Sequence, residues 1–165
     1  MNRSVVFLVL VSLAGASAIA QVMAKGQVSN LIRKVEDGVD EFRNYLERRG
    51  ESARSASSTA PAQGRRARRT PTETQKANAQ GRKDDLDDAL GDLNRSTNRL
   101  RRKFDATDTW METRVQVERV LDDGRRINQA VARGSYGSEV ARLWSVLRAG
   151  INDLARAYGL TPLGI

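Results

Sequence analysis

The chain has 165 residues, 28 Lys and Arg against 20 Asp and Glu, a formal net charge of +8, and neither Cys nor His. Without Cys no disulfide staples the fold and no lipid can be attached at a cysteine, so stability must come from packing. Without His or Cys, zinc, copper and ordinary haem lose their main donors, and a di-iron bundle lacks its Glu-x-x-His pairs. No metal or cofactor is therefore expected.

The first 20 residues read as a secretory signal peptide. Arg3 supplies a positive start, Ser4 to Ala14 an apolar run, and Ala18-Ile19-Ala20 a small-x-small cleavage site ahead of Gln21; these are the three parts that a signal peptidase recognises. Cleavage after Ala18, with Ala16-Ser17-Ala18, is nearly equivalent. Export to a periplasm or to the exterior follows, with no transmembrane helix left after cleavage. An uncut Ala20 would instead leave an anchor, because Ser4–Ala20 is 17 residues long, the short edge of the roughly 17–25 that span a bilayer.

Charge is unevenly spread. Between Arg48 and Arg69 seven arginines stand against one acid, Glu51, so this segment holds most of the surplus. Arg outnumbers Lys 23 to 5, and low aromatic content with three prolines suits a helical protein.

The first periodic segment, 27–49, places Val28, Leu31, Ile32, Val35, Val39, Phe42 and Leu46 at three- and four-residue spacings, one apolar stripe on a helix. Gly50 follows as a candidate C′ residue. Residues 50–70 carry no large apolar side chain, cannot offset their ordering entropy by burial, and read as a long, disordered basic linker. Thr70-Pro71-Thr72-Glu73 has the form of a capping box with proline at the first helical position. The second helix then starts at 71, but its stripe of Leu86, Leu90, Leu93, Thr97, Leu100 and Phe104 predicts packing only from about residue 82. Asp105–Asp108 breaks the pattern. Thr109 with Glu112 marks a third helix carrying Trp110, Thr113, Val117, Val120, Leu121, Ile127 and Val131, and ending at Gly134. The fourth runs through Val140, Leu143, Trp144, Leu147, Ile151, Leu154 and Tyr158 to a stop at Gly159. The expected fold is an all-α, antiparallel four-helix bundle at 27–165, its helices 2–4 covering 71–158.

Few chemistries fit this pattern. The acids Asp84, Asp85, Asp87, Asp88 and Asp92 lie on a helix face, not in the Gly-containing loop of an EF-hand. No acid occupies a stripe position where burial would tune its pKa, and no nucleophile motif occurs; an enzyme is not expected. Thr97 and Thr113 should bond back to their own helix carbonyls, and Asn128 should set register.

Arg65, Arg66, Arg68 and Arg69 form a cationic run. An exported protein does not normally meet the genome, so no nucleic-acid partner is expected, and a polyanion or another envelope partner is the better match. The sequence thus predicts a non-enzymatic interaction or structural module of the bacterial envelope or exterior. The alternative is a periplasmic carrier or chaperone that binds apolar ligands in or on an opened bundle.

Overall fold

A computed structural model describes residues 24–58, 73–134 and 136–164, with side chains described except at 51–58, 73–80 and 82–84. Residues 1–23, which include the expected signal segment, and residues 59–72 lie outside the described residues. Within them the chain is all-α: α1 Lys25–Ser58, α2 Glu73–Asp105, α3 Arg114–Arg133 and α4 Ser138–Ala157, with a 3₁₀ turn at Trp110–Thr113 leading into α3.

The helices form a ring. α1 packs against α2 and α4, and α3 packs against the same two. Cross-helix contacts give every adjacent pair an antiparallel register. Lys34 reaches Asp153 at 2.9 Å and Arg142 reaches Glu41 at 3.6 Å between α1 and α4. Arg126 reaches Asp92, and Ser96 reaches Asp123, between α2 and α3. Trp144 Nε1 donates to Asn128 Oδ1 at 3.0 Å between α4 and α3, so Asn128 does fix a register. Arg101 of α2 reaches back to Ser29 and Glu36 of α1.

The predicted stripes meet in one core. Val28, Ile32, Val35, Val39 and Phe42 of α1 are fully buried, as are Leu86, Leu90, Leu93 and Leu100 of α2, with Val117, Val120 and Ile127 from α3 and Val140, Ile151 and Leu154 from α4. Leu31, Trp110 and Val131 pack at its margin. Two glycines bring α1 and α4 close together. A Cβ on Gly38 would lie 3.2 Å from Leu147 Cδ1, and one on Gly150 would lie 3.6 Å from Val35.

Three boundaries differ from the sequence expectation. α1 does not stop at Arg49; it continues through Gly50 to Ser58. Extending an existing helix fixes one residue per added hydrogen bond and needs no burial, and Glu, Ala and Arg in this stretch are good helix formers. The linker is thus shorter than 50–70. At the other side α2 starts at Glu73, two residues after the proline, and the first buried side chain among those described is Leu86. Third, Thr109 does not cap α3 with its side chain. Its carbonyl accepts from Glu112 N at 3.0 Å, opening the 3₁₀ turn, and α3 begins only at Arg114.

The bundle therefore has two unlike poles. One gathers the start of α1, the end of α2 and the end of α4. There Lys25 donates to the Thr107 carbonyl and lies 5.4 Å from the centroid of the Phe104 ring. At the other, Arg49 donates to the Tyr136 carbonyl in the α3–α4 turn, and α1 and α2 both run on past that turn.

The carboxy-terminal tail adds an element that periodicity does not reveal. α4 ends in a Schellman motif: Leu160 N donates to Ala155 O at 2.9 Å and Gly159 N to Arg156 O at 3.0 Å, with Gly159 at φ +63°, the left-handed conformation glycine adopts without penalty. The chain then folds back. Leu163 N donates to Asn152 Oδ1 at 2.7 Å, and Asn152 Nδ2 donates to Leu163 O at 3.3 Å. This clamp seats the Leu163 side chain in a notch over Gly124, where a Cβ would lie 2.7 Å from Leu163 Cδ1. Leu163→Ala should lower the unfolding free energy by about 2 kcal/mol, the low end for a buried leucine. Urea denaturation checks this, and a loss no larger than the roughly 0.5 kcal/mol of a surface change would show that the tail does not hold the bundle.

Candidate functional site

Arg65, Arg66, Arg68 and Arg69, and Ala18 and Ala20 of the expected cleavage site, all lie outside the described residues. The described residues show what the bundle itself places together, and three polar assemblies stand out.

The first ties α1 to α2. Arg101 Nη2 donates to Glu36 Oε2 at 2.6 Å while its Nη1 reaches Ser29 Oγ at 3.3 Å, and both side chains are about one-fifth exposed. The hydrogen bond to Glu36 raises the guanidinium pKa further, against partial desolvation. This is a structural pair whose charges satisfy each other.

The second lies at the pole where α4 ends. Thr113 Oγ1 donates to Trp110 O at 2.7 Å, the expected back-bond, and lies 2.7 Å from the Tyr158 hydroxyl. A threonine hydroxyl has one hydrogen, and Trp110 takes it, so Tyr158 is the donor. The Trp110 and Tyr158 rings meet edge to face, with centroids 4.9 Å apart and planes at 86°. Burial pushes the Tyr158 phenol above its ordinary value. A neutral, buried, doubly anchored tyrosine is a core constituent.

The third is an open groove of about 660 Å³ along the α2–α3 seam, lined by charged side chains of both helices with Ser96 and Val115. Asp92, singled out from the sequence only as part of a solvated acidic face, is engaged on two sides, by Arg95 of its own helix and by Arg126 of α3. Desolvation would raise its pKa, but the two arginine hydrogen bonds outweigh this and hold it below the ordinary carboxylate value. Ser96 Oγ donates to Asp123 Oδ2 at 2.6 Å. Two further carboxylates of the groove, Glu118 and Asp122, are held by Arg114 and Arg125. Only register information could have found this groove: the charged pairs lie about 30 residues apart and become neighbours once α2 and α3 run antiparallel.

Among the described residues, no group of three or more Asp, Glu, His or Cys could hold a metal ion. Three large apolar side chains are exposed, Met111, Val115 and Val146.

Two outcomes follow from these assemblies. Asp92 has a depressed folded pKa, so its contribution to stability is complete above its ordinary value of 3.8 and disappears as pH falls below that value, through the folded one. Acid titration of unfolding should show this loss in the parent protein and a shallower acid limb in Asp92→Asn. Tyr158→Phe should cost about 1 kcal/mol, the net worth of one hydrogen bond, read by thermal unfolding. Neither a protein-family model, nor a curated protein, nor a solved structure matches this chain.

Proposed function

We propose that the protein is a non-enzymatic, exported interaction module that engages an anionic partner of the cell envelope through cationic side chains. One observation carries this reading: cations and acids are segregated along the chain. On the bundle, many arginines sit beside carboxylates, as in Arg101–Glu36, Arg126–Asp92 and Arg142–Glu139. The run Arg65, Arg66, Arg68 and Arg69 has no acid within ten residues on either side except Glu73. Cations without local acids are the side chains available to an external polyanion.

Export rests on the three-part pattern of residues 1–20. Among the described residues no helix is long and apolar enough to cross a membrane, which is compatible with that destination. The carrier reading asks for an apolar cavity. Among the described residues, the grooves along α1 and along the α2–α3 seam are instead open and lined mainly by charged and polar residues.

The full chain and a variant with Arg65, Arg66, Arg68 and Arg69 changed to Ser are compared for co-sedimentation with phosphatidylglycerol vesicles over a series of salt concentrations. Each basic residue near an anionic surface contributes about 1 kcal/mol, so the variant should bind at least about tenfold more weakly. Its salt dependence should also be flatter. Equal binding by the two proteins would remove the arginine run from the function. Sequencing the amino terminus of the exported protein tests the address, with Gln21 or Ile19 expected as the first residue.

A further inference from the structure

We infer that the α2–α3 groove carries an oxyanion site of its own, in which Arg99 of α2 and Arg119 of α3 together hold one phosphate group. The inference is independent of the arginine run and of its polyanion.

Register puts the two side chains at one level. Arg126 pairs with Asp92, and Asp123 with Ser96; moving one further turn along each antiparallel helix places Arg119 opposite Arg99. Both line the same groove. Two cations lining one groove are mutually repulsive. The penalty is small in water, about 1 kcal/mol even at 4 Å.

The groove's carboxylates are already taken. Asp92 is held by Arg95 and Arg126, Asp123 by Ser96, Glu118 by Arg114 and Asp122 by Arg125. Asp122 and Asp123 lie one turn beyond Arg119 on its own helix, close enough to compete for it, yet their bonds go elsewhere. On α2, the residues one turn either side of Arg99 are Arg95, Ser96, Arg102 and Lys103, so no acid answers it there. The guanidinium groups of Arg99 and Arg119 make no hydrogen bond or ion pair with any described residue.

An unanswered pair of guanidinium groups matches a tetrahedral oxyanion better than a single carboxylate does. Each planar fork can give two parallel N–H donors, and a phosphate group has oxygens for both forks. One turn from Arg119 on the α3 side, Val115 is 63% exposed, and a turn further Met111 is 42% exposed. Of these, Val115 lines the groove beside the cations. The ligand class is therefore a phosphate group, either free or esterified to an apolar body. A lipid headgroup and a small phosphate share this chemistry.

The test uses the full chain and three variants, Arg99→Gln, Arg119→Gln and the double change. Inorganic phosphate is titrated while the arginine Nε–Hε signals are followed by NMR, with chloride at matched ionic strength as the control. Saturable shifts of Arg99 and Arg119 with one shared midpoint are expected, with affinity weakened about tenfold or more in each single variant. Phosphate should raise the melting temperature of the parent protein and leave that of the double variant unchanged. Without phosphate, each single variant should melt no lower than the parent, because it removes a repulsion; a lower melting temperature would reveal a structural bond and overturn the site. Vesicles of phosphatidylglycerol and of phosphatidylcholine separate the sources. Retention on the former that depends on both arginines assigns a lipid headgroup, and a phosphate response without it assigns a small soluble phosphate. If chloride reproduces the shifts, or if neither probe distinguishes the double variant from the parent, no site exists. The variant with the four linker arginines replaced by Ser should keep the phosphate response, so failure of the linker reading and failure of this site are told apart.

Discussion

Six side chains of α1 decide whether this bundle has three helices or four. Short connections join α2, α3 and α4, but α1 is linked to α2 only through residues 59–72 and has no disulfide to hold it. Val28, Ile32, Val35, Val39, Phe42 and Leu46, all at most 5% exposed, must keep it in place. At about 1.5–3 kcal/mol for each large apolar side chain buried, their combined gross contribution is comparable to the whole net stability of an ordinary domain. Apolar contact is non-directional, however, and tolerates a slip along the helix axis. The directional contacts remove that freedom: Arg101 with Glu36 and Ser29 on one side of α1, Lys34 with Asp153 on the other, and the close approach at Gly38 and Gly150.

Much of this could be read from the sequence, because helical periodicity is a local property. Each stripe from Val28 to Tyr158 gave its helix, and the spacing near 3.5 residues gave the bundle. Thr97 and Thr113 bond back to carbonyls, as their types suggest, and Asn128 meets Trp144. The losses lie where structure depends on partners far away in the chain. Leu163 comes after a glycine stop and a proline, and nothing local says that it returns to a notch left by Gly124. The end of α1 was misplaced because Gly50 resembles a C′ residue, yet the helix-forming residues after it carry the helix on. Ser96 looks like any small polar residue until α3 supplies Asp123.

The candidate chemistry was legible to a smaller degree still. The arginine run is conspicuous by composition, and its placement lies outside the described residues. Arg99 and Arg119 are invisible by composition, being two among 23 arginines. What distinguishes them is accounting across the seam: the neighbouring carboxylates are engaged by other groups, and these two guanidinium groups are not. That property exists only once α2 and α3 are aligned. The polar assemblies at Arg101–Glu36 and Thr113–Tyr158 show the opposite situation, in which buried or half-buried groups are satisfied internally and leave nothing to offer a ligand.

The two poles have a mechanical consequence. The chain enters α1 at Lys25 and leaves it at Ser58, about 50 Å away along the axis at 1.5 Å per residue. A connection of 14 residues that must return to Glu73 can reach out and back by roughly 25 Å at full extension. A support that grips the start of α1 would therefore hold the end of α1 and the start of α2 about 50 Å away from itself, so the length of the first helix would set the spacing.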